Sequence, residues 1–128
     1  MDAGIRDIAL VAMGGAIGSV ARYGVGKLMG PQAGGGIPWQ TFLVNATGAF
    51  LIGLLLVAAA RLGWPGWWRP LLAVGILGGY TTFSTFALET VELAMRGAWG
   101  TAAAYSLGSV AVGLAAAAAG ILIGRAVL

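Results

Sequence analysis

Four long apolar stretches account for most of the chain, and short polar or Gly/Pro-rich segments separate them. A helix that crosses the hydrocarbon core of a bilayer needs about 20 predominantly apolar residues. Because lipid cannot hydrogen-bond to bare backbone groups, stretches of this length are expected to be helical. The pattern therefore predicts an all-α membrane protein with a single domain, residues 1–128, and four transmembrane spans at about 8–28, 39–60, 70–95 and 99–127.

The connections between the spans are short. The first, GPQAGGGIP, is rich in the glycine and proline that end helices. The second, GWPGWWRP, places three tryptophans beside Arg61 and Arg69, as in the aromatic belts of membrane–water interfaces. The third is the Arg96-Gly97 turn. The pattern leaves no stretch for a separate soluble domain.

Charge is scarce along the whole chain. The 128 residues include seven basic and four acidic ones, and 59% are hydrophobic, which leaves too little polar surface for a water-soluble domain. The net charge of +3 is scattered, with no basic run, so nucleic acid is not an expected partner. Cysteine and histidine are absent, which excludes disulfides, Cys/His zinc sites and a Ser-His-Asp triad. We therefore do not expect an enzyme.

Basic residues near the span ends show only a weak bias between the two sides of the membrane. Four spans place both termini on one side. That side carries Arg6, Arg61, Arg69 and Arg125, and the opposite side carries Lys27 and Arg96. Because an excess of Lys and Arg normally marks the cytoplasmic side, this small difference permits insertion in both orientations.

Small residues recur at a spacing typical of helix contacts. Gly14 and Gly18 are four residues apart, as are Gly120 and Gly124. Glycines at this spacing let two helices approach closely in lipid, so we expect both pairs at helix–helix contacts.

Span two carries a polar face near its start. At 100° per residue, Thr41, Asn45 and Gly48 share this face. The amide of Asn45 has two donors and an acceptor. It either bonds to a neighbouring helix or offers a donor to a ligand.

Span four carries a row of polar side chains at intervals of four. The row consists of Thr101, Tyr105 and Ser109, with Gly113 as its next position. The Ser and Thr hydroxyls either bond to their own helix backbone or line a path through the membrane.

Residues 78–86 of span three read GGYTTFSTF. The two adjacent glycines predict a break in this helix. Beyond it, one face carries Thr82, Thr85, Glu89 and Glu92, and the neighbouring face carries Phe83, Phe86 and Thr90. Glu89 lies deep enough to require a partner or water. Phe83 and Phe86 are either core or lipid contacts or part of the same polar region.

Arg22 lies about two-thirds of the way along span one. Its side chain either extends to the membrane surface, faces a water-filled vestibule or binds helix carbonyls.

The polar side chains favour an anion over a cation. Cation paths usually contain several carboxylates or carbonyls, and Glu89 is the one acid well inside a span. The Asn45 amide, the hydroxyls and Arg22 instead offer hydrogen-bond donors and positive charge. The rings of Phe83 and Phe86 have positive edges that attract an anion without trapping it.

Three motifs resemble the Fluc/CrcB family of fluoride channels: GAIGSVARYG in span one, TFLVNATG in span two and GGYTTFSTFALET in span three. The resemblance covers nearly the whole chain, including its length and number of spans. It implies an antiparallel, dual-topology homodimer whose two pores conduct fluoride passively and selectively. It also implies a place in the bacterial cytoplasmic (inner) membrane, where the channel exports fluoride and relieves its toxicity.

The resemblance also implies roles for individual residues. Asn45 would be the pore-lining amide, and Phe83 and Phe86 would present ring edges to fluoride. Tyr105 and Ser109 would fall on the family's polar track, with Thr41 and Glu89 as further members. Thr82 and Thr85 share the face of Glu89 and are included with them. Arg22 would lie at a positively charged vestibule.

The family further has a Na⁺ ion at the dimer centre, held by backbone carbonyls at the break in span three. This role carries onto Gly78 and Thr81. Unwinding at the glycine pair would release carbonyls that suit a hard cation, and a twofold axis through the break would place both copies around one ion. The chain departs from the expected pattern at Tyr80, which is bulky for its place in the break, and at Gly113, which lacks a hydroxyl.

Two other classes of protein fit part of the pattern. Small dual-topology multidrug exporters also have four short spans, but they carry a membrane-embedded Glu in span one. This chain has Arg22 there and no acid after Asp7. A structural subunit of a larger membrane complex would explain the glycines, but not the clustered Asn, Phe and Ser/Thr positions.

Overall fold

The computed structural model describes residues 2–32 and 36–128, and every regular element in these ranges is a helix. The elements are α1 (Ala3–Met29), α2 (Trp39–Leu62), a π-helix (Arg69–Leu77), α3 (Gly78–Tyr80), α4 (Phe83–Met95) and α5 (Trp99–Val127). Residues 33–35 of the predicted first connection lie outside the described residues.

Four helical segments are long and apolar enough to cross a membrane, as the hydrophobic pattern predicts. They are Ala3–Met29, Trp39–Leu62, Arg69–Met95 and Trp99–Val127. The first begins five residues before the expected start at Ile8, because helical hydrogen bonding continues through a polar first turn. In that turn Arg6 and Asp7 are exposed and form an ion pair at 3.0 Å.

Glycines determine how the helices pair. At Gly14 and Gly18 a Cβ atom would collide with backbone of Leu71 and Ile76, so α1 lies directly against the π-helix. At Gly120 it would collide with backbone of Phe50, so α5 lies directly against α2. The prediction that these glycines occupy helix contacts is confirmed, and the close approach supplies the packing that associates helices in lipid.

The turn between the second and third spans ends α2 and presents the tryptophans. Gly63 has a left-handed conformation (φ 63°, ψ 40°), a common helix terminator. Trp64 and Trp67 stack with ring centroids 6.1 Å apart. The Arg69 guanidinium lies over the Trp68 ring, 5.9 Å from its centroid. This cluster matches the chemistry of a membrane–water interface.

The third span contains two extended residues, Thr81 (φ −86°, ψ 160°) and Thr82 (φ −151°, ψ 119°). The sequence pattern predicts a break over residues 78–81, and of these Thr81 is extended whereas Gly78 is helical (φ −63°, ψ −37°). Gly79 is small for another reason, since a Cβ there would lie 2.7 Å from the Gly15 carbonyl oxygen of α1. We refer to residues 79–82, which comprise the last two residues of α3 and the two extended residues that follow, as the break segment.

Candidate functional site

Glu89 of α4 joins three helices through its carboxylate. Thr41 of α2 donates its hydroxyl to Oε1 at 2.7 Å, and Tyr105 of α5 donates its hydroxyl to Oε2 at 2.7 Å. Both donors are buried, Tyr105 with only 1% of its surface exposed. The expectation that Glu89 has a partner is confirmed. Polar residues of the second and fourth spans both hydrogen-bond to this carboxylate of the third span.

A cavity of about 130 Å³ lies beside this carboxylate. Its lining consists of Arg22, Gln40, Thr41, Val44, Thr82, Thr85 and Glu89. The structure therefore brings together five of the residues predicted from the sequence, from three of the four spans. A polar cavity of this size has room for water molecules or a small ion.

Thr82 caps the start of α4. Its Oγ1 accepts the backbone N–H of Thr85 at 3.2 Å and lies 3.1 Å from the Thr85 hydroxyl. A Thr at this position satisfies one of the N–H groups that a helix leaves free at its first turn. The cap keeps both hydroxyls on the cavity wall.

The Asn45 side chain both donates a hydrogen bond to the backbone of Thr82 and accepts one from it. Its Nδ2 donates to the Thr82 carbonyl at 3.0 Å, and its Oδ1 accepts the Thr82 N–H at 2.8 Å. This is the interhelical bond that the sequence left open as one alternative. The amide has two N–H groups, so this bond leaves one of them for another acceptor.

Arg22 contacts the break segment from α1. Its Nε donates to the Gly79 carbonyl at 3.1 Å, so binding to a helix carbonyl is the alternative that the structure selects. Arg22 also lines a second cavity, of about 520 Å³, together with Lys27 and Gln40. The positively charged Arg22 therefore borders both cavities.

Gln40 was not selected from the sequence, yet it lines both cavities. Its Nε2 donates to the carbonyls of Gly26 and Gly30, at 3.0 and 2.6 Å. The Gly26 carbonyl lies in the last turn of α1 and also accepts the Gly30 N–H at 3.1 Å, and Gly30 is the residue that follows this helix. The one signal in the sequence was a polar residue at the start of an apolar span.

The two phenylalanines have different surroundings. Phe86 packs edge-on against Tyr105, with ring centroids 5.3 Å apart and an angle of 61°. Phe83 lies 5.8 Å from Phe86, but 79% of its surface is exposed. One ring thus adjoins the Glu89 cluster, whereas the other projects from the chain.

Ser109 follows Tyr105 by one turn of α5, and its hydroxyl oxygen is buried. Within residues 2–32 and 36–128 this oxygen has no hydrogen-bond partner. A buried hydroxyl without a partner is uncommon and costs free energy. The position continues the row of polar side chains that Thr101 and Tyr105 form on the same helix.

Two backbone carbonyls at the third span are released from helical hydrogen bonding. In a continuous helix the N–H groups of Thr82 and Thr85 would bind the carbonyls of Gly78 and Thr81. Here those N–H groups bind Asn45 Oδ1 and Thr82 Oγ1 instead. Gly78 and Thr81 also line a cavity of about 300 Å³ that includes Asn45 and Gly48.

Comparison with known proteins defines the family. Residues 9–121 match the family described as "CrcB-like protein, Camphor Resistance (CrcB)". The chain belongs to the CrcB family. Together with the four span-length helices, this makes it a multi-pass membrane protein.

Several CrcB relatives carry the name "Fluoride-specific ion channel FluC". One from Agrobacterium fabrum is 52% identical over 120 residues, covering 93% of this chain and 96% of its own length. One from Thermus thermophilus is 47% identical, covering 93% and 95%. A third, from Nitrobacter winogradskyi, is 50% identical and covers 94% of this chain and 96% of its own length. These names describe ion channels rather than enzymes.

Proposed function

We propose that this CrcB protein is a passive, fluoride-selective channel that exports fluoride across the bacterial cytoplasmic membrane and so relieves fluoride toxicity. The observation that carries the proposal is 52% identity over nearly the whole chain to a relative named as a fluoride-specific ion channel. The cluster of hydroxyl donors around Glu89 supports it, because neutral donors bind an anion loosely enough to release it.

The Glu89 cavity and the α5 row form the proposed polar track. Thr41, Tyr105 and Ser109 provide hydroxyl hydrogens along it, with Thr82 and Thr85 on the cavity wall. An anion in the cavity competes with the Glu89 carboxylate for the Thr41 hydrogen. Binding there is therefore weak, which favours passage over trapping.

We assign the second N–H of Asn45 and the ring edges of Phe83 and Phe86 to direct contact with fluoride. The positive edge of an aromatic ring suits an anion. Arg22 borders both cavities, and its charge concentrates anions at the mouth of the proposed pore.

The functional unit that we propose is an antiparallel homodimer with two pores. The exposure of Phe83 supports it, since a second copy in the opposite orientation would cover this ring and complete the path. The weak bias of basic residues between the two sides fits insertion in both orientations.

We further propose that the third span acts as a broken helix that holds a structural Na⁺ on the dimer axis. The residues fit this role: the Gly78 and Thr81 carbonyls have lost their helical donors, and hard cations prefer oxygen ligands. The described residues contain no group of three His, Cys, Asp or Glu side chains that would offer a competing metal site. A twofold axis would bring the same two carbonyls from each subunit around one ion, and so provide a larger set of oxygen ligands.

Purified protein in liposomes loaded with potassium fluoride tests the function. Adding valinomycin should release fluoride, whereas liposomes loaded with potassium chloride should retain chloride. Chloride release at a comparable rate would refute the selectivity. Fluoride release no faster than from protein-free liposomes would refute the channel itself.

A further inference from the structure

Side chains of α1 and α2 hydrogen-bond to three of the four residues of the break segment. Arg22 binds the Gly79 carbonyl from α1, and Asn45 binds Thr82 from α2. Between these contacts, the Tyr80 hydroxyl lies 2.9 Å from Thr47 Oγ1 of α2. Tyr80 is the residue whose bulk departs from the sequence pattern expected of the family.

The direction of the Tyr80–Thr47 hydrogen bond follows from the second contact of Thr47. A threonine hydroxyl has a single hydrogen, and Thr47 Oγ1 donates at 2.7 Å to the Leu43 carbonyl of its own helix. Tyr80 is therefore the donor and Thr47 the acceptor. When the Tyr80 hydroxyl is removed, the Thr47 hydroxyl still donates to the Leu43 carbonyl. The substitution therefore removes one hydrogen bond and leaves no buried donor without an acceptor.

Tyr80 is also packed in place. A Cβ atom at Gly48 would collide with the Thr81 methyl group and lie 3.4 Å from the Tyr80 ring. The absence of a side chain at Gly48 thus lets α2 approach Tyr80 and Thr81 closely. The ring rests on α2 while its hydroxyl is bound one residue earlier, at Thr47.

We propose that the Tyr80–Thr47 hydrogen bond positions the released Gly78 and Thr81 carbonyls and so sets the affinity of the break for its cation. Tyr80 lies between these two carbonyls in the chain, and cation binding depends on oxygen spacing within a few tenths of an ångström. Tyr80 and Thr47 act here as positioning residues and do not touch the ion. The inference rests on the cation site proposed above.

Thermal unfolding of the purified protein in detergent tests this inference without measuring flux. NaCl replaces N-methylglucamine chloride stepwise at constant ionic strength, and the unfolding temperature is measured at each step. The quantity compared is the Na⁺ concentration that gives half of the maximal rise in unfolding temperature. Tyr80→Phe and Thr47→Val should each raise this concentration about three- to tenfold, the effect of one hydrogen bond. The double variant should shift no further than either single variant, because both remove the same contact.

Two matched controls separate this effect from general loss of stability. Tyr23→Phe removes a hydroxyl from an exposed tyrosine of α1. Thr90→Val removes a hydroxyl that donates to the Phe86 carbonyl of its own helix at 2.8 Å, as Thr47 does to Leu43. Both controls should keep the Na⁺ response of the wild type.

An unchanged half-stabilising Na⁺ concentration in Tyr80→Phe and Thr47→Val overturns the inference, as does a wild type that responds equally to Na⁺ and N-methylglucamine. If Tyr80→Phe does not fold, Thr47→Val decides alone. A protein that passes this test but releases no fluoride from liposomes would refute the channel and leave the positioning role intact.

Discussion

The side-chain amide of Asn45 binds the backbone of Thr82 at both its N–H and its carbonyl, at 2.8 and 3.0 Å. The side chain thereby takes the place of the helical neighbours that Thr82 lacks. It satisfies polar backbone inside a membrane span, where an unpaired group would cost several kcal/mol. One residue of α2 thus supports the extended conformation at Thr82.

Asn45→Asp should reduce fluoride release close to the level of protein-free liposomes. A carboxylate accepts the Thr82 N–H but cannot donate to the Thr82 carbonyl, and it adds negative charge beside the proposed path. Loss of the buried bond should also cost about 1–3 kcal/mol of unfolding free energy. Wild-type release from this variant would contradict the role given to Asn45.

Phe83→Ile should abolish fluoride release while the purified protein keeps its elution volume in size-exclusion chromatography. The substitution keeps an apolar side chain but removes the positive ring edge. Leu88→Ile is a suitable control, because Leu88 is another exposed residue of α4 and should leave release unchanged. Equal release from both variants would remove Phe83 from the pore.

Tyr105→Phe should lower both stability and fluoride release. It leaves Glu89 Oε2 without its donor in a buried position, which costs about 1–3 kcal/mol. Denaturant or thermal unfolding measures the first effect and liposome release the second. Thr90→Val, which removes a hydroxyl bonded to its own helix, should change neither by a comparable amount.

Arg22→Gln should slow fluoride release, and the difference from the wild type should be largest at low ionic strength. Salt screens the attraction between Arg22 and an approaching anion, so rising salt should slow the wild type more than the variant. Release rates measured at several concentrations of an impermeant salt test this. Parallel salt dependence in the two proteins would show that Arg22 acts through its Gly79 contact alone.

Gly18→Ala should destabilise the protein strongly, because a Cβ atom at Gly18 would collide with the Ile76 carbonyl. Gly24→Ala lies on the same helix with no atom within 4 Å of its Cβ position, and it should stabilise by up to about 1 kcal/mol. Thermal unfolding of the two variants distinguishes close packing from a general intolerance of alanine in α1. Similar midpoints for both would contradict the packing role of Gly18.

The hydrophobic pattern predicted the four spans because lipid imposes a length and an apolar composition on any helix that crosses it. It also predicted that Glu89 needs a partner, since a carboxylate at that depth is costly when unpaired. It did not identify Thr41 and Tyr105 as the two donors, because a helical repeat shows which residues share a face but not what that face meets.

The position of the break segment shows the same limit. Glycine's conformational freedom favoured unwinding at Gly78 and Gly79, but the extended residues are Thr81 and Thr82. Partners on other helices decide this: Asn45 binds the Thr82 backbone, while Gly79 is small because α1 passes against it.

The amino-acid sequence by itself determined the membrane environment, the number of spans, the close-packing glycines and the polar residue types, because these follow from composition and local spacing. Only the tertiary structure decided which polar groups meet, which carbonyls are released and why Tyr80 stands beside Thr47. Those outcomes depend mainly on contacts between different helices, such as Asn45 with Thr82 and Arg22 with Gly79. Local spacing carries no information about such contacts, since they form only when the helices pack.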